Sequence, residues 1–159
     1  MKSIKKRFAK VKIISRVTQF EENGGASFTD KEAVDSNTEC TTLTTECTIA
    51  DKGGRIEIEY EESEITGMAG AKTKVVTDKT APELVSILRE GSVSTALVFE
   101  AGKRHHCVYE TPYFPIELCV NTLSLDNKLT YEGGYFTAEY LIEMNGMLAE
   151  KTHITVTIL

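Results

Sequence analysis

The chain has no apolar run near the roughly 20 residues that a membrane-spanning helix needs. Its basic beginning does not supply a secretory segment either, because Val11-Lys12-Ile13-Ile14 is too short and too charged. A soluble protein is expected. Disulfide chemistry is equally absent from the pattern. Cys40 and Cys47 are seven apart and Cys107 and Cys119 twelve, which matches neither a dense secreted scaffold nor zinc-ligand spacing, so a reducing cytoplasm is the expected home. No stretch carries helical periodicity for more than about two turns, and there is no internal repeat or low-complexity tract. Familiar catalytic loops are missing as well. Gly102-Lys103-Arg104 lacks the preceding glycines of a phosphate loop and opens a strand. Gly24-Gly25-Ala26-Ser27 lacks the strand-to-helix setting of a nucleophile elbow.

What is present is a single domain, residues 1–159, long enough to bury roughly two-thirds of its unfolded surface without a metal or disulfide staple. The net charge of −6 is uneven. Lys2, Lys5, Lys6, Arg7, Lys10, Lys12 and Arg16 precede the first acid, Glu21, which leaves 11 basic residues against 24 acidic ones in the remainder. Residues 1–8 read as a basic arm. Lys10, Lys12 and Arg16 alternate with Val11, Ile13 and Val17, the pattern of a solvated strand face, and lysines there would discourage edge-to-edge pairing. An acidic body with no stacking aromatic interleaved in the arm argues against a nucleic-acid partner.

Strands follow one another from Ala9–Gln19 onward. Phe20–Glu39 is polar and turn-prone, a long mobile acidic connection with room for one helical turn near Asp30–Val34. Cys40–Ala50 is threonine-rich, and Asp51-Lys52-Gly53-Gly54 reverses it into Arg55–Ser63. There Ile56, Ile58 and Tyr60 oppose Glu57, Glu59 and Glu61, one buried face against one solvated face, and the same pleat carries Glu62 inward. Lys72–Thr77 and Glu83–Arg89 come next. In the latter, Val85 and Ile87 share a face with Arg89 while Leu84, Ser86 and Leu88 share the other, which leaves the inward side open. Ala96–Leu123 then reads as three consecutive antiparallel strands, reversed at Ala101-Gly102-Lys103 and at Pro112. The last hairpin turns at Asn145-Gly146, with Leu148, Ile154, Val156 and Ile158 alternating against Lys151, His153, Thr155 and Thr157. About ten closely spaced strands in a meander favour closure, since a barrel removes exposed edges and can hold one small ligand. The expected fold is an all-β closed antiparallel meander barrel.

Tyr60-Glu61-Glu62-Ser63-Glu64-Ile65-Thr66-Gly67-Met68, Arg89-Glu90-Gly91, Val98-Phe99-Glu100-Ala101-Gly102 and Tyr109-Glu110-Thr111-Pro112-Tyr113 occur in that order, followed by Gly133-Gly134 and Ala138-Glu139-Tyr140. In order and spacing the chain from about Thr41 onward resembles the YwiB-like family, a bacterial group of unknown function. The resemblance implies a calycin-like or lipocalin-like barrel in the bacterial cytoplasm and supplies no catalytic residues. Phe114 and Cys47 stand where the family pattern has glycine, and Phe20–Glu39 is longer than usual.

Glu62, Arg89, Tyr109, Thr111 and Tyr140 match the family pattern and form the candidate ligand-binding set. Glu62 and Arg89 pointing inward near one mouth would pair, as buried charges must, and the arginine fork suits a carboxylate or phosphate. The plainer reading is a structural ion pair at the rim. His105 shares a strand face with Cys107 and Tyr109 but not with His106, so two imidazoles cannot reach one ion from an unbroken strand; no metal site, cofactor or catalytic residue is expected. Three functions follow in order of support: a non-enzymatic barrel holding an anionic or amphipathic small molecule, a protein–protein interaction module, and last an enzyme. Monomer and homodimer stay open.

Overall fold

The alternating pattern becomes ten strands. The computed structural model describes residues 4–20, 37–62, 70–91, 94–110 and 112–159. They form β1 (Ile4–Gln19), β2 (Thr38–Lys52), β3 (Arg55–Glu61), β4 (Lys72–Asp78), β5 (Ala81–Glu90), β6 (Thr95–Phe99), β7 (Arg104–Glu110), β8 (Pro115–Asn127), β9 (Gly134–Met144) and β10 (Met147–Ile158). No helix among the described residues is long and apolar enough to cross a membrane. The helical turn expected near Asp30–Val34 falls outside the described residues.

One sheet holds all ten strands in the order β6-β5-β4-β3-β2-β1-β10-β9-β8-β7. The ring is joined by the first and last strands, with Val11 facing Ile158 and Gln19 facing Glu150. Its two ends are therefore β6 and β7, which are consecutive in the chain. They meet through one bridge, in which the Ser94 N–H donates to the Glu110 carbonyl (3.1 Å) and the Glu110 N–H to that of Ser94 (3.0 Å). At the other end the reversal is fastened by Lys103 N–H to Glu100 O (3.0 Å) and Gly102 N–H to Thr122 O (2.9 Å). Between those ties no ladder forms. The Ala101-Gly102-Lys103 turn exists, but the regular hairpin expected around it is a bowed seam.

Three other expectations change. Residues 4–8 are not an arm, because they extend β1 and pair with Lys52 to Thr48 of β2. From Val11 onward β1 has β2 on one side and β10 on the other and is no edge, so Lys12 and Arg16 do not serve as edge protection. Glu57 is only 7% exposed rather than solvated. Lys52 (3.3 Å), Arg55 (3.1 Å) and Lys74 (3.1 Å) close over it on the outer wall. Finally, a bulge in β10 pairs Leu148 with Glu143 but Glu150 with Ile142, so Leu148 leaves the face of Ile154 and Glu150 takes the inward position.

The inward face of β5 is the one bearing Val85, Ile87 and Arg89; the first two are fully buried. Half of the barrel is a packed core. Val11, Ile49, Ile56, Val85, Phe99, Val120, Phe136 and Val156 are buried there. The Phe99 ring lies 6.5 Å from that of Phe136 and 4.6 Å from that of Tyr140, within the aromatic contact range. Toward the connections 20–37, 62–71, 91–94, 111–114 and 145–146, the inward positions become Ser15, Thr41, Thr95, Thr152 and charged residues. Small side chains there cannot meet across a ten-stranded ring, and that half is hollow.

Candidate functional site

The hollow has a volume of about 520 Å³ and is lined by Glu62, Arg89, Tyr109 and Tyr140, together with residues of β1, β2, β6, β8 and β10. Thr111 lies outside the described residues. The register explains why these side chains gather. Tyr60 faces Thr73, Thr73 faces Arg89 and Arg89 faces Thr95, which makes one cross-strand row over β3 to β6. The Ser94–Glu110 bridge continues the row across the seam to Tyr109, which faces Ile116.

Glu62 is buried at the end of β3 and accepts a 2.6 Å hydrogen bond from the Thr73 hydroxyl. Tyr60 is also hydrogen-bonded to it. Burial, then the Glu62 charge, pushes the Tyr60 phenol far above its ordinary value, so it stays neutral and donates. Arg89 Nε is 3.6 Å from Glu62 Oε1, close enough for an ion pair but beyond a hydrogen bond. Its Nε is buried with no hydrogen-bond partner. The Thr95 hydroxyl, directly opposite Arg89 on the next strand, is in the same condition. Two neighbouring buried polar groups, on residues that line the hollow, are thus unsatisfied. On the wall beyond, burial raises the Tyr140 phenol, while Arg89 and a hydrogen bond to Thr152 pull the other way.

Residues 27–156 match the family described as a domain of unknown function, DUF1934. The chain belongs to the DUF1934 family. The resemblance to the YwiB-like group agrees with the solved structures, among which the crystal structure of YwiB from Bacillus subtilis superposes with a TM-score of 0.64. That match is 18% identical and covers 96% of this chain and 93% of the other, a likeness of fold alone. No curated protein matches the chain.

In this DUF1934 barrel the sequence reading put Tyr60 on the inward face but overlooked Thr95, Glu150 and Thr152 as lining residues. Thr95 and Thr152 were open to discovery by parity, since each lies two residues from a buried apolar neighbour, but threonine is an ordinary strand residue. Glu150 shares the parity of Ile154 and was open to discovery in the same way. His105, by contrast, is engaged by Glu100 rather than by Cys107. His105 Nε2 sits 3.0 Å from Glu100 Oε1, and burial, with Cys119 nearby, keeps the Cys107 thiol raised and therefore protonated. No group of three or more His, Cys, Asp or Glu able to hold a metal occurs among the described residues.

Proposed function

We propose that the protein binds a small amphipathic molecule in the hollow half of its barrel, with an anionic head on Arg89 and Thr95. The observation that carries this reading is the adjacency of two buried polar groups without partners on the wall of a cavity. Buried unsatisfied groups cost about 1–3 kcal/mol each. An oxyanion placed between the guanidinium and the hydroxyl would satisfy both. The remaining wall, with Ile13, Leu43, Leu97, Ile142 and Ile154, suits an apolar body, and the cavity falls within the range of small-molecule sites. Glu62 supports the reading from behind. Held by Thr73 and Tyr60, it fixes the guanidinium without filling its donor fork.

Thermal melts and calorimetry with a graded series of fatty acids, alkyl phosphates and alcohols test it. A carboxylate at a hundredfold its Kd should raise Tm by roughly 5–10 °C. Arg89→Gln should weaken that carboxylate about tenfold or more, and the matching alcohol should bind poorly to both proteins. If no carboxylate or phosphate of any chain length shifts the melt, the reading fails.

A further inference from the structure

The acidic residues around the hollow constrain its ligand further, given the binding reading above. Arg89 is the one basic side chain on the wall among the described residues, and Glu62 already offsets its charge. Glu39 and Glu150 line the same space. Neither belongs to any ion pair among the described residues. A plain anion would therefore enter a cavity whose formal charge is already negative, and a doubly charged phosphate would be opposed more strongly.

The ring order places the two kinds of group on opposite walls. Counting around the barrel from β5, four strands intervene before β10 in either direction. Arg89 and Thr95 on β5 and β6 thus look across the lumen at Glu150 on β10. Apolar residues lie between them, with Ile142 directly beside Glu150 in the register. Glu150 is partly buried, with the Gln19 side chain as a hydrogen-bond partner and no cation. Burial pushes its carboxyl above the ordinary range, the condition of an acid that lacks its counter-charge.

We infer that the ligand is dipolar, an amphipathic molecule whose carboxylate meets Arg89 and Thr95 while an ammonium group at its far end meets Glu150. An ω-amino acid has this chemistry. Its two charges would leave the cavity no more negative than before, and its methylene body would lie against the apolar wall.

The test compares fatty acids, ω-amino acids and alkylamines matched in chain length, by calorimetry on the wild type, Glu150→Gln and Arg89→Gln. At the best-fitting length the ω-amino acid should bind about tenfold more tightly than the fatty acid, as a charge-assisted hydrogen bond provides. Glu150→Gln should erase that advantage by raising fatty-acid affinity as the opposing charge is removed, and the fatty-acid binding it retains shows that the variant is folded. Arg89→Gln should weaken both carboxylates and spare the alkylamine. A wild type that binds the fatty acid as tightly as the ω-amino acid overturns the dipolar ligand and leaves the binding barrel standing. So does a Glu150→Gln variant that keeps the preference. If no probe of any length binds the wild type, both readings fall together.

Discussion

Glu57, which the sequence puts on a solvated face, and Glu150 have opposite consequences in the fold. Glu57 lies on the outer wall, where burial would push its carboxyl up but hydrogen bonds from Lys74 and Lys52 outweigh that and hold it below the ordinary value. A lowered folded-state value means that the stabilisation is complete above the unfolded carboxylate range and is lost as pH falls through the folded one. Glu57→Gln should therefore cost about 1–2 kcal/mol at neutral pH, and urea melts of the two proteins should converge on acidification. A difference that persists at low pH would show that packing, not charge, is responsible. Glu150 is the reverse case. Its carboxyl is raised by burial, which outweighs the hydrogen bond of the Gln19 side chain, so its stabilising state is the protonated one, lost as pH rises through the raised value. Glu150→Gln should accordingly increase Tm at neutral pH, and the gain should shrink as pH drops below the ordinary carboxylate range. A Tm that falls at neutral pH would contradict this. The sequence could place Glu62 inward because the period of two is unbroken from Ile56 to it, whereas both faces of β5 are partly apolar and Arg89 was placed only by the fold. On β10 the alternation puts position 150 on the face of Ile154, as the fold does, and it is Leu148 that parity misplaces, because the extra residue at the bulge turns the start of the strand over.

Among the strands, those with regular partners were the readable ones. In β3 the alternation of Ile56, Ile58 and Tyr60 with charged neighbours predicts both the pairing and the inward face, and Asp51 caps the preceding turn by accepting from the Gly54 N–H at 2.8 Å. The seam was not readable. Turn chemistry at Ala101-Gly102-Lys103 says that β6 and β7 reverse, which they do, but whether their backbones then touch depends on how ten strands share a circumference. That is a property of the whole ring and leaves no local mark. Ser94 bonds toward β7, so Ala96 and Val98 on β6, and Val108 and His106 on β7, present their backbone groups to a gap with no ladder. Amide exchange should find these four N–H groups much less protected than those of Val11, Ile13 and Ile49 within β1 and β2. Equal protection across both pairs of strands would mean that the seam zips up in solution.

At the scale of the whole molecule, β1 has a weight that its sequence does not advertise. The family match covers residues 27–156 and so leaves β1 outside it. Yet β1 is the strand that joins β2 to β10, in register from Ile4–Lys52 to Thr18–Thr38 on one side and from Val11–Ile158 to Gln19–Glu150 on the other. It also lines the hollow with Ile13, Ser15, Val17 and Gln19. Removing it would expose both β2 and β10, which are 15 and 12 residues long, as open edges. Long unpaired edges recruit other chains, and the ring already has a weak place at β6 and β7. A chain truncated before Phe20 should therefore lose its cooperative melt and elute as aggregate in size-exclusion chromatography. A synthetic peptide spanning residues 4–19, supplied during refolding, should restore monomeric material by strand addition, whereas the same composition in scrambled order should not, since the alternation of Val11 and Ile13 with lysines sets which face turns inward. A truncated chain that stays monomeric and melts cooperatively without the peptide would show that β2 and β10 close on each other, and that the hollow with its dipolar walls is built from nine strands rather than ten.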